Sequence, residues 1–448
     1  MKVCLLVPDF LSGTSFLQQP LDYLYTGTVL LNKGYEITLL DCRIHHLSMR
    51  SLLDSIQQQD VVVVTTTPID QVQNYFIDYR YAYTIKTVDE IRNSYPEKTI
   101  VVYGAHVSAN SDLVVKDFRA DFFIKGEIFK TLPSLLDVIC TTKQYSSVPN
   151  IIYRNKHALA HTKVDMRSYH PVIPDDILPS YDLAEMSQYF GVQYVNNIPL
   201  IKRNRVVVSG GRGCPYSCSF CHNYFGSKVH YRSPKAVATE IEICQKRYGV
   251  EEVFFLDEVF TLNRQWVHFL MKEIVNRHIQ LELTIQTRVD CIDEEILNDL
   301  CLMGVKNIWL GMESMNDDVL ARINKGITIK EIKKCVNSIK DAGIRPHVFF
   351  MIGVEGENEQ TISELINGVA ELNIPYTRSL MICTPRFGTL YYKHAKKQYP
   401  DINNWFDLNK IKGLVGNEMT PALLIKAKKI FKNVLLTRHL GNLIDNGI

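Results

Sequence analysis

Ser209-Gly210-Gly211-Arg212-Gly213-Cys214-Pro215-Tyr216-Ser217-Cys218-Ser219-Phe220-Cys221-His222-Asn223 sets three thiols at Cys-x3-Cys-x2-Cys spacing. It follows directly on Arg205 to Ser209, an apolar run that reads as a strand. Cysteine thiolates hold iron–sulfur clusters, and a 4Fe-4S cubane held by only Cys214, Cys218 and Cys221 keeps one iron open to an outside ligand. The competing reading is a zinc site completed by His222. Neighbouring Cys221 and His222 would chelate one ion awkwardly. Closed zinc sites also tend to draw two ligand pairs from separate turns, whereas these thiols share one loop.

Strand and helix patterns alternate on both sides of this loop. Downstream, strands are expected at Glu252 to Leu256, Glu282 to Gln286, Asn307 to Gly311, His347 to Ile352 and Thr377 to Cys383. With Arg205 to Ser209 they make six βα repeats, a partial (β/α)6 barrel in which chemistry sits at the carboxyl ends of the strands. Upstream, Lys2 to Val7, Glu36 to Leu40, Asp60 to Thr65, Thr99 to Tyr103 and Asp121 to Ile124 are nearly continuous in apolar residues, as strands buried on both faces should be. Between them lie helical stretches such as Leu21 to Lys33, closed by Gly34. This is an α/β fold: a flavodoxin-like doubly wound domain, then the partial barrel, then a small, mostly helical carboxyl-terminal region. The expected bounds are 1–144, a linker over 145–204, the barrel over 205–385 and a cap or substrate region over 386–448. The linker is inferred from its loss of period and from Pro149, Pro171, Pro174, Pro179 and Pro199. The tail carries Tyr391, Tyr392, Tyr399, Trp405, Phe406 and a basic amphipathic helix near Ala422 to Arg438.

Composition narrows the class of protein. The 448 residues are 46% hydrophobic and 22% charged, the balance of a folded globular enzyme. Fifty basic and 48 acidic side chains leave a net charge of +2, without a strong nucleic-acid signal. No apolar run reaches the roughly 18 residues of a membrane span, and the run at Met1 to Pro8 is too short for a signal-peptide core. Eleven unevenly spaced cysteines do not resemble a disulfide framework, so a soluble protein of a reducing, cytoplasmic compartment is expected. Eight cysteines stand singly, among them Cys4, Cys140, Cys244, Cys301 and Cys335, and are expected to be buried structural thiols.

The cysteine loop, with Phe220 before its last thiol, resembles the radical S-adenosylmethionine (SAM) superfamily, and the resemblance extends from about Arg205 to Tyr392. Phe255-Leu256-Asp257-Glu258-Val259-Phe260-Thr261 is similar to the second-strand acidic motif of the cobalamin-associated branch. Thr287-Arg288-Val289-Asp290 and Gly311-Met312-Glu313-Ser314 are similar to segments that contact the carboxylate and ribose of SAM. Asn324-Lys325-Gly326 follows. Phe350-Met351-Ile352-Gly353-Val354-Glu355-Gly356-Glu357 resembles the segment flanking the adenine, with Glu355 where the family usually has proline. Thr384-Pro385-Arg386-Phe387-Gly388-Thr389 resembles the sixth-strand loop. The resemblance implies SAM contacts from Phe220, Asp257, Glu258, Arg288, Glu313, Ser314, Ile352 and Gly353. It further implies a 5′-deoxyadenosyl radical made from SAM with an electron from a flavodoxin or ferredoxin.

Joined to such a barrel, the first domain resembles the cobalamin-binding domain of the cobalamin-dependent radical SAM enzymes. Ligands of an open parallel sheet bind beyond its strand carboxyl ends. There lie Thr65, Thr66 and Thr67, then Gly104 and His106, then Gly126 and Glu127. The Asp-x-His-x-x-Gly cobalt-ligand motif is absent, which leaves His45, His46 and His106 as candidates for the lower cobalt face. The structural alternative for His106 is a hydrogen-bonded loop histidine. The resemblance implies methyl transfer to an unactivated carbon of a small-molecule or peptide-derived substrate, or a radical rearrangement, cyclisation or ring contraction with the same ligands. Remoter readings are a tRNA methylthiotransferase, for which an extra cysteine trio and a basic module are missing, and a non-enzymatic zinc protein. Tyr391, Trp405 and Tyr224 are candidate substrate-facing residues; catalytic acid and base residues are not legible.

Overall fold

A computed structural model describes residues 1–8, 18–45, 47–66, 77–155, 158–169, 172–195, 198–374, 376–416, 418–427 and 429–430. The chain divides into two compact units. The first comprises 1–208, 224–232 and 243–251; the second comprises 209–223, 233–242 and 252–448.

In the first unit, strands β1 (Lys2–Val7), β2 (Glu36–Asp41), β3 (Val61–Thr65), β4 (Thr99–Tyr103) and β5 (Phe122–Ile124) form a parallel sheet in the order β2-β1-β3-β4-β5. This is the doubly wound order, with its switch point between β1 and β3. Val61 to Val64 are at most 1% exposed, and each such side chain contributes about 1.5–3 kcal/mol by leaving water. The helix Leu21–Asn32 ends beside Gly34, whose φ of +83° supplies the left-handed stop.

The expected linker is more ordered than its prolines suggest. β6 (Ile151–Asn155) and β7 (Ala158–His161) extend the same sheet with antiparallel pairing, Ile151 and Ile152 lying opposite Ile124 and Phe123. Two buried isoleucines against a hydrophobic edge outweigh the turn signals around them. A second hairpin follows, β8 (Gly191–Val195) with β9 (Ile198–Arg203).

The second sheet runs in strict chain order: β10 (Arg205–Val208), β13 (Glu252–Phe255), β14 (Glu282–Thr287), β15 (Val305–Glu313), β16 (Arg345–Ile352) and β17 (Tyr376–Ile382). The two-residue strands β11 (Gly211–Arg212) and β12 (His230–Tyr231) come between β10 and β13 in the chain. Pairing from β13 to β17 is parallel throughout, as βα repeats require. Local chemistry starts and stops the intervening helices. Asp293 caps Glu294–Met303, Gly304 ends it at φ +87°, and Thr328 with Glu331 forms a capping box on Ile329–Asp341. This half-barrel carries the strand carboxyl ends that the motifs occupy.

Six of the singly placed cysteines are buried: Cys4, Cys42, Cys244, Cys291, Cys335 and Cys383. Cys140 and Cys301 are exposed, contrary to expectation. Cys140 is the last residue of its helix, and Cys301 lies off the buried stripe of Ile296, Leu297, Leu300 and Met303. In the tail, Leu390–Gln398, Asp407–Lys410 and residues 421–427 are helical, whereas the expected helix beyond residue 430 lies outside the described residues. Among the described residues, no helix is long and apolar enough to cross a membrane.

Candidate functional site

The loop after β10 is held by backbone donors that meet carboxylates from the end of β13. Gly210 N donates to Asp257 Oδ2 at 2.9 Å, and Gly213 N donates to Glu258 Oε2 at 3.1 Å. Gly213 has φ +106°, and a Cβ on Gly210 would lie 2.4 Å from the Trp266 ring, so both glycines are required by this turn. Burial raises the Asp257 carboxyl to about 7 against the pull of its backbone donors. Burial likewise raises Glu258 to about 7, and Asp257 adds to the effect. Asp257 Oδ1 is buried without a partner.

The thiol loop is fastened along its length within the second unit. Cys221 N donates to Cys218 O at 3.1 Å, and Asn223 Nδ2 donates to Cys214 O. Ser219 N donates to Ile323 O at 3.0 Å while Ser219 O accepts from Tyr391 N at 2.9 Å. Asn324 Nδ2 donates to both Ser217 O and Ser217 Oγ at 2.9 Å. Phe220 is half-buried in the loop. Burial raises the half-buried Cys214 thiol, whereas Cys221 is exposed. Such thiols ionise when a metal takes them up. Among the described residues, no three His, Cys, Asp or Glu side chains are grouped to hold a single metal ion. The His222 ring packs against Gly388, where a Cβ would lie 3.0 Å from Nε2.

Arg288 and Glu313, expected to face SAM, are already partnered. Arg288, just past β14, pairs with Asp290 and reaches Cys218. Glu313, at the end of β15 with φ +68°, accepts from Lys325 Nζ at 2.9 Å. Both side chains of this ion pair are over nine-tenths buried. Burial alone would lower the Lys325 ammonium, but Glu313 and Cys218 hold it above its ordinary value. Gly311 makes the pair fit, because a Cβ there would lie 2.6 Å from Glu313 Oε1 and 2.9 Å from Lys325 Nζ. Ser314 is fully buried, and its Oγ has no partner. Asp257 Oδ1, just past β13, and Ser314 Oγ, just past β15, are thus two buried polar atoms without partners, the kind of group that a bound polar ligand satisfies. Such polar groups suit SAM, and three thiols on one loop suit a cluster with one iron open. Lys325 and Tyr216 matter here although the motifs assign them no contact, since their partners Glu313 and Arg288 lie twelve and seventy-two residues away; Asp290, two residues from Arg288, acts through it.

The fifth-strand segment is built around Glu357. Its Oε2 accepts from Gly353 N and from Val354 N at 3.0 Å, while Oε1 is buried without a partner. Ile352 is 1% exposed, and Tyr391 OH donates to Gly353 O at 2.7 Å and to Val415 O at 2.9 Å. Tyr391 thus braces the backbone, in place of the substrate-facing role expected for it. Trp405 is likewise buried, 4.5 Å from the Phe387 ring, and Tyr224 is half-buried. Glu355 meets His394 Nδ1 at 3.1 Å. Burial raises Glu357 to about 8 against its two backbone donors. The folded state therefore binds a proton that the unfolded state has released, so stability is full below about pH 4.5 and falls as pH rises toward 8. Glu357→Gln is expected to flatten that slope, as denaturant midpoints measured from pH 5 to 8 would show; an unchanged slope would reject the assignment.

In the first unit, Thr65 and Thr66 are fully buried, and Thr67 lies outside the described residues. His106 is 4% exposed, with Nδ1 3.1 Å from Thr66 Oγ1 and its ring 4.8 Å from Tyr81. These contacts hold it as a packed histidine in the first turn of the short helix Ala105–Ala109 rather than in a loop. His45 lies 3.9 Å from Glu185, and His46 is outside the described residues. Gly104 has φ +127°. The space at Gly126 is taken by the chain itself, because a Cβ there would lie 2.5 Å from Tyr169 O. The buried Glu127 donates its N–H to that same oxygen at 3.0 Å. Thr66 and His106 thus fit a polar rim at the strand ends, whereas Gly126 serves Tyr169.

Comparison with known proteins agrees with this geometry. The radical SAM superfamily model matches residues 208–368. An uncharacterized methyltransferase of Pyrococcus horikoshii is 26% identical over 88% of this chain and 83% of its own length. An anaerobic magnesium-protoporphyrin IX monomethyl ester cyclase of Rubrivivax gelatinosus is 25% identical over 99% of this chain and 76% of its own. Among solved structures, the radical SAM methyltransferase TsrM of Kitasatospora setae, with cobalamin and a [4Fe-4S] cluster bound, aligns with a TM-score of 0.71 at 19% identity. That match covers 90% of this chain and 79% of TsrM. The cobalamin-dependent radical enzyme OxsB aligns at 0.65 with 16% identity, covering 98% of this chain and 61% of OxsB. At these identities the structural likeness speaks to fold.

Proposed function

We propose that the chain is a cobalamin-dependent radical SAM enzyme and that it transfers a methyl group to an unactivated carbon of a small-molecule or peptide-derived substrate, a reading supported by the radical SAM match over residues 208–368 and by its relatives. The observation that carries the reading is the fastening of the three-thiol loop to polar groups just past two strands, Gly210 N to Asp257 and Gly213 N to Glu258 after β13, and Cys218 to Arg288 after β14. The names of the methyltransferase relatives support methyl transfer. Cys214, Cys218 and Cys221 would hold the 4Fe-4S cluster, and the first unit, with Thr66 and His106 at its strand ends, would hold cobalamin. When bound, the cluster supplies the single electron that splits a carbon–sulfur bond of SAM, and cobalamin supplies the methyl group. Asp257 Oδ1 would accept from the SAM ammonium, Ser314 Oγ would bond a polar edge of SAM, and the segment at Gly353 would flank its adenine. These groups are set in place before SAM arrives, so little reorganisation is required. The partner in the cytoplasm would be a one-electron donor of the flavodoxin or ferredoxin type.

Iron, sulfide, cobalt and zinc content of protein reconstituted anaerobically with hydroxocobalamin tests both cofactors. Four irons and one cobalt per chain are expected, with 5′-deoxyadenosine released from SAM on reduction. Cys218→Ala is expected to hold less than about a tenth of the iron and to release no 5′-deoxyadenosine, since three thiolates are the minimum for the cubane. A colourless wild-type protein that binds zinc and no iron would overturn the reading. A second reading, radical cyclisation, is favoured by the cyclase relative that spans 99% of this chain. Product masses separate the two, because methyl transfer adds CH2 to the substrate and oxidative ring closure removes two hydrogens.

A further inference from the structure

Arg288 spends its guanidinium on four neighbours within the second unit. Nε donates to Asp290 Oδ1 at 2.8 Å and Nη2 to Asp290 Oδ2 at 3.0 Å. Nη2 also donates to Lys325 O at 2.6 Å, and Nη1 donates to Cys218 Sγ at 3.7 Å. The guanidinium carbon lies 3.6 Å from the centroid of the Tyr216 ring, the residue midway between Cys214 and Cys218. Only a planar five-donor fork can serve a carboxylate, a carbonyl, a sulfur and a ring face together. The side chain is 6% exposed, so these contacts act in a weakly screening interior. Asp290 does not draw the guanidinium away from the loop; it fixes the plane that aims Nη1 at the sulfur.

We propose that Arg288 is a positioning residue of the cluster loop that also sets the cluster's reduction potential, by donating a charge-assisted hydrogen bond to the Cys218 sulfur. Hydrogen bonds to the cysteine sulfurs and local charge are established determinants of iron–sulfur potentials. One-electron reduction makes the cluster and its thiolates more negative, which strengthens the Nη1–H···Sγ bond. Arg288 therefore favours the reduced form and raises the potential. Tyr216 and Asp290 clamp the guanidinium from its face and its edge, which keeps the donor aimed. The inference rests on the trio holding a cluster, as read above.

The test is an anaerobic redox titration of the reconstituted full-length protein, followed by electron paramagnetic resonance of the reduced cluster, without SAM. Arg288→Gln is expected to lower the ratio of reduced to oxidised cluster about tenfold at a given potential, equal to about 59 mV for one electron. Arg288→Lys keeps the charge but loses the fork, and should fall between Arg288→Gln and wild type. Equal potentials in all three proteins at equal iron content would overturn the proposal. So would an unchanged potential with weakened SAM binding, which would return Arg288 to the SAM carboxylate. If Arg288→Gln holds no iron, Arg288→Lys decides: a lower ratio than wild type supports the proposal, and the wild-type ratio overturns it. Wild-type protein without iron would sink the cluster reading itself, so the two failures are distinct.

Discussion

Lys325→Met is expected to destabilise the half-barrel by about 3–5 kcal/mol, because it leaves the Glu313 carboxylate buried without its counter-charge. The side chains are only 6% and 8% exposed and meet at 2.9 Å, so little solvent screening softens the loss. Breaking such a pair costs more than the pair contributed, since desolvation of the remaining ion is no longer offset. The double variant Lys325→Met, Glu313→Leu should recover much of the stability, because an apolar replacement of the whole pair leaves no orphaned charge. Denaturant unfolding of the three proteins, followed by a probe in the second unit, measures both effects. A loss under about 1 kcal/mol in the single variant, the size of a surface pair, would show that the carboxylate finds water or another partner.

Gly353→Ala should be nearly as damaging, for a steric reason. Its φ of +76° costs a side-chain-bearing residue roughly 1–2 kcal/mol, and a Cβ there would lie 2.2 Å from Gly413 Cα and 2.6 Å from Gly413 O. Backbone cannot swing away as a flexible side chain can, so overpacking adds about 1–3 kcal/mol. Gly343 supplies the internal control: its φ is +73°, but nothing lies within 4 Å of the Cβ position. Gly343→Ala should therefore show the conformational cost alone. Equal melting temperatures for the two variants would refute the close approach of residues 353 and 413. A larger drop for Gly353→Ala than for Gly343→Ala would establish it, and SAM binding should weaken along with stability if that backbone flanks the adenine.

What the sequence settled by itself was local or periodic. Continuous runs such as Val61 to Val64 and Val348 to Ile352 announced strands buried on both faces, and their alternation with helical stretches announced two parallel sheets. The cysteine spacing was legible because all three thiols lie on one short loop, and Gly34 marked a helix end through the backbone conformation that its neighbours require. Tertiary structure decided the rest. The Lys325–Glu313 pair, the contacts of Arg288 with Lys325, Cys218 and Tyr216, and the bracing of Gly353 by Tyr391 join residues between twelve and seventy-two positions apart. Charge and residue type gave them no sequence signature, because a lysine bound for a buried ion pair reads no differently from one bound for solvent. The β6–β7 hairpin was hidden likewise, since its short apolar run becomes a strand only when the edge of β5 is there to receive it. Local propensity and period are written into neighbouring residues, whereas the pairing of distant polar groups exists only once the chain has folded.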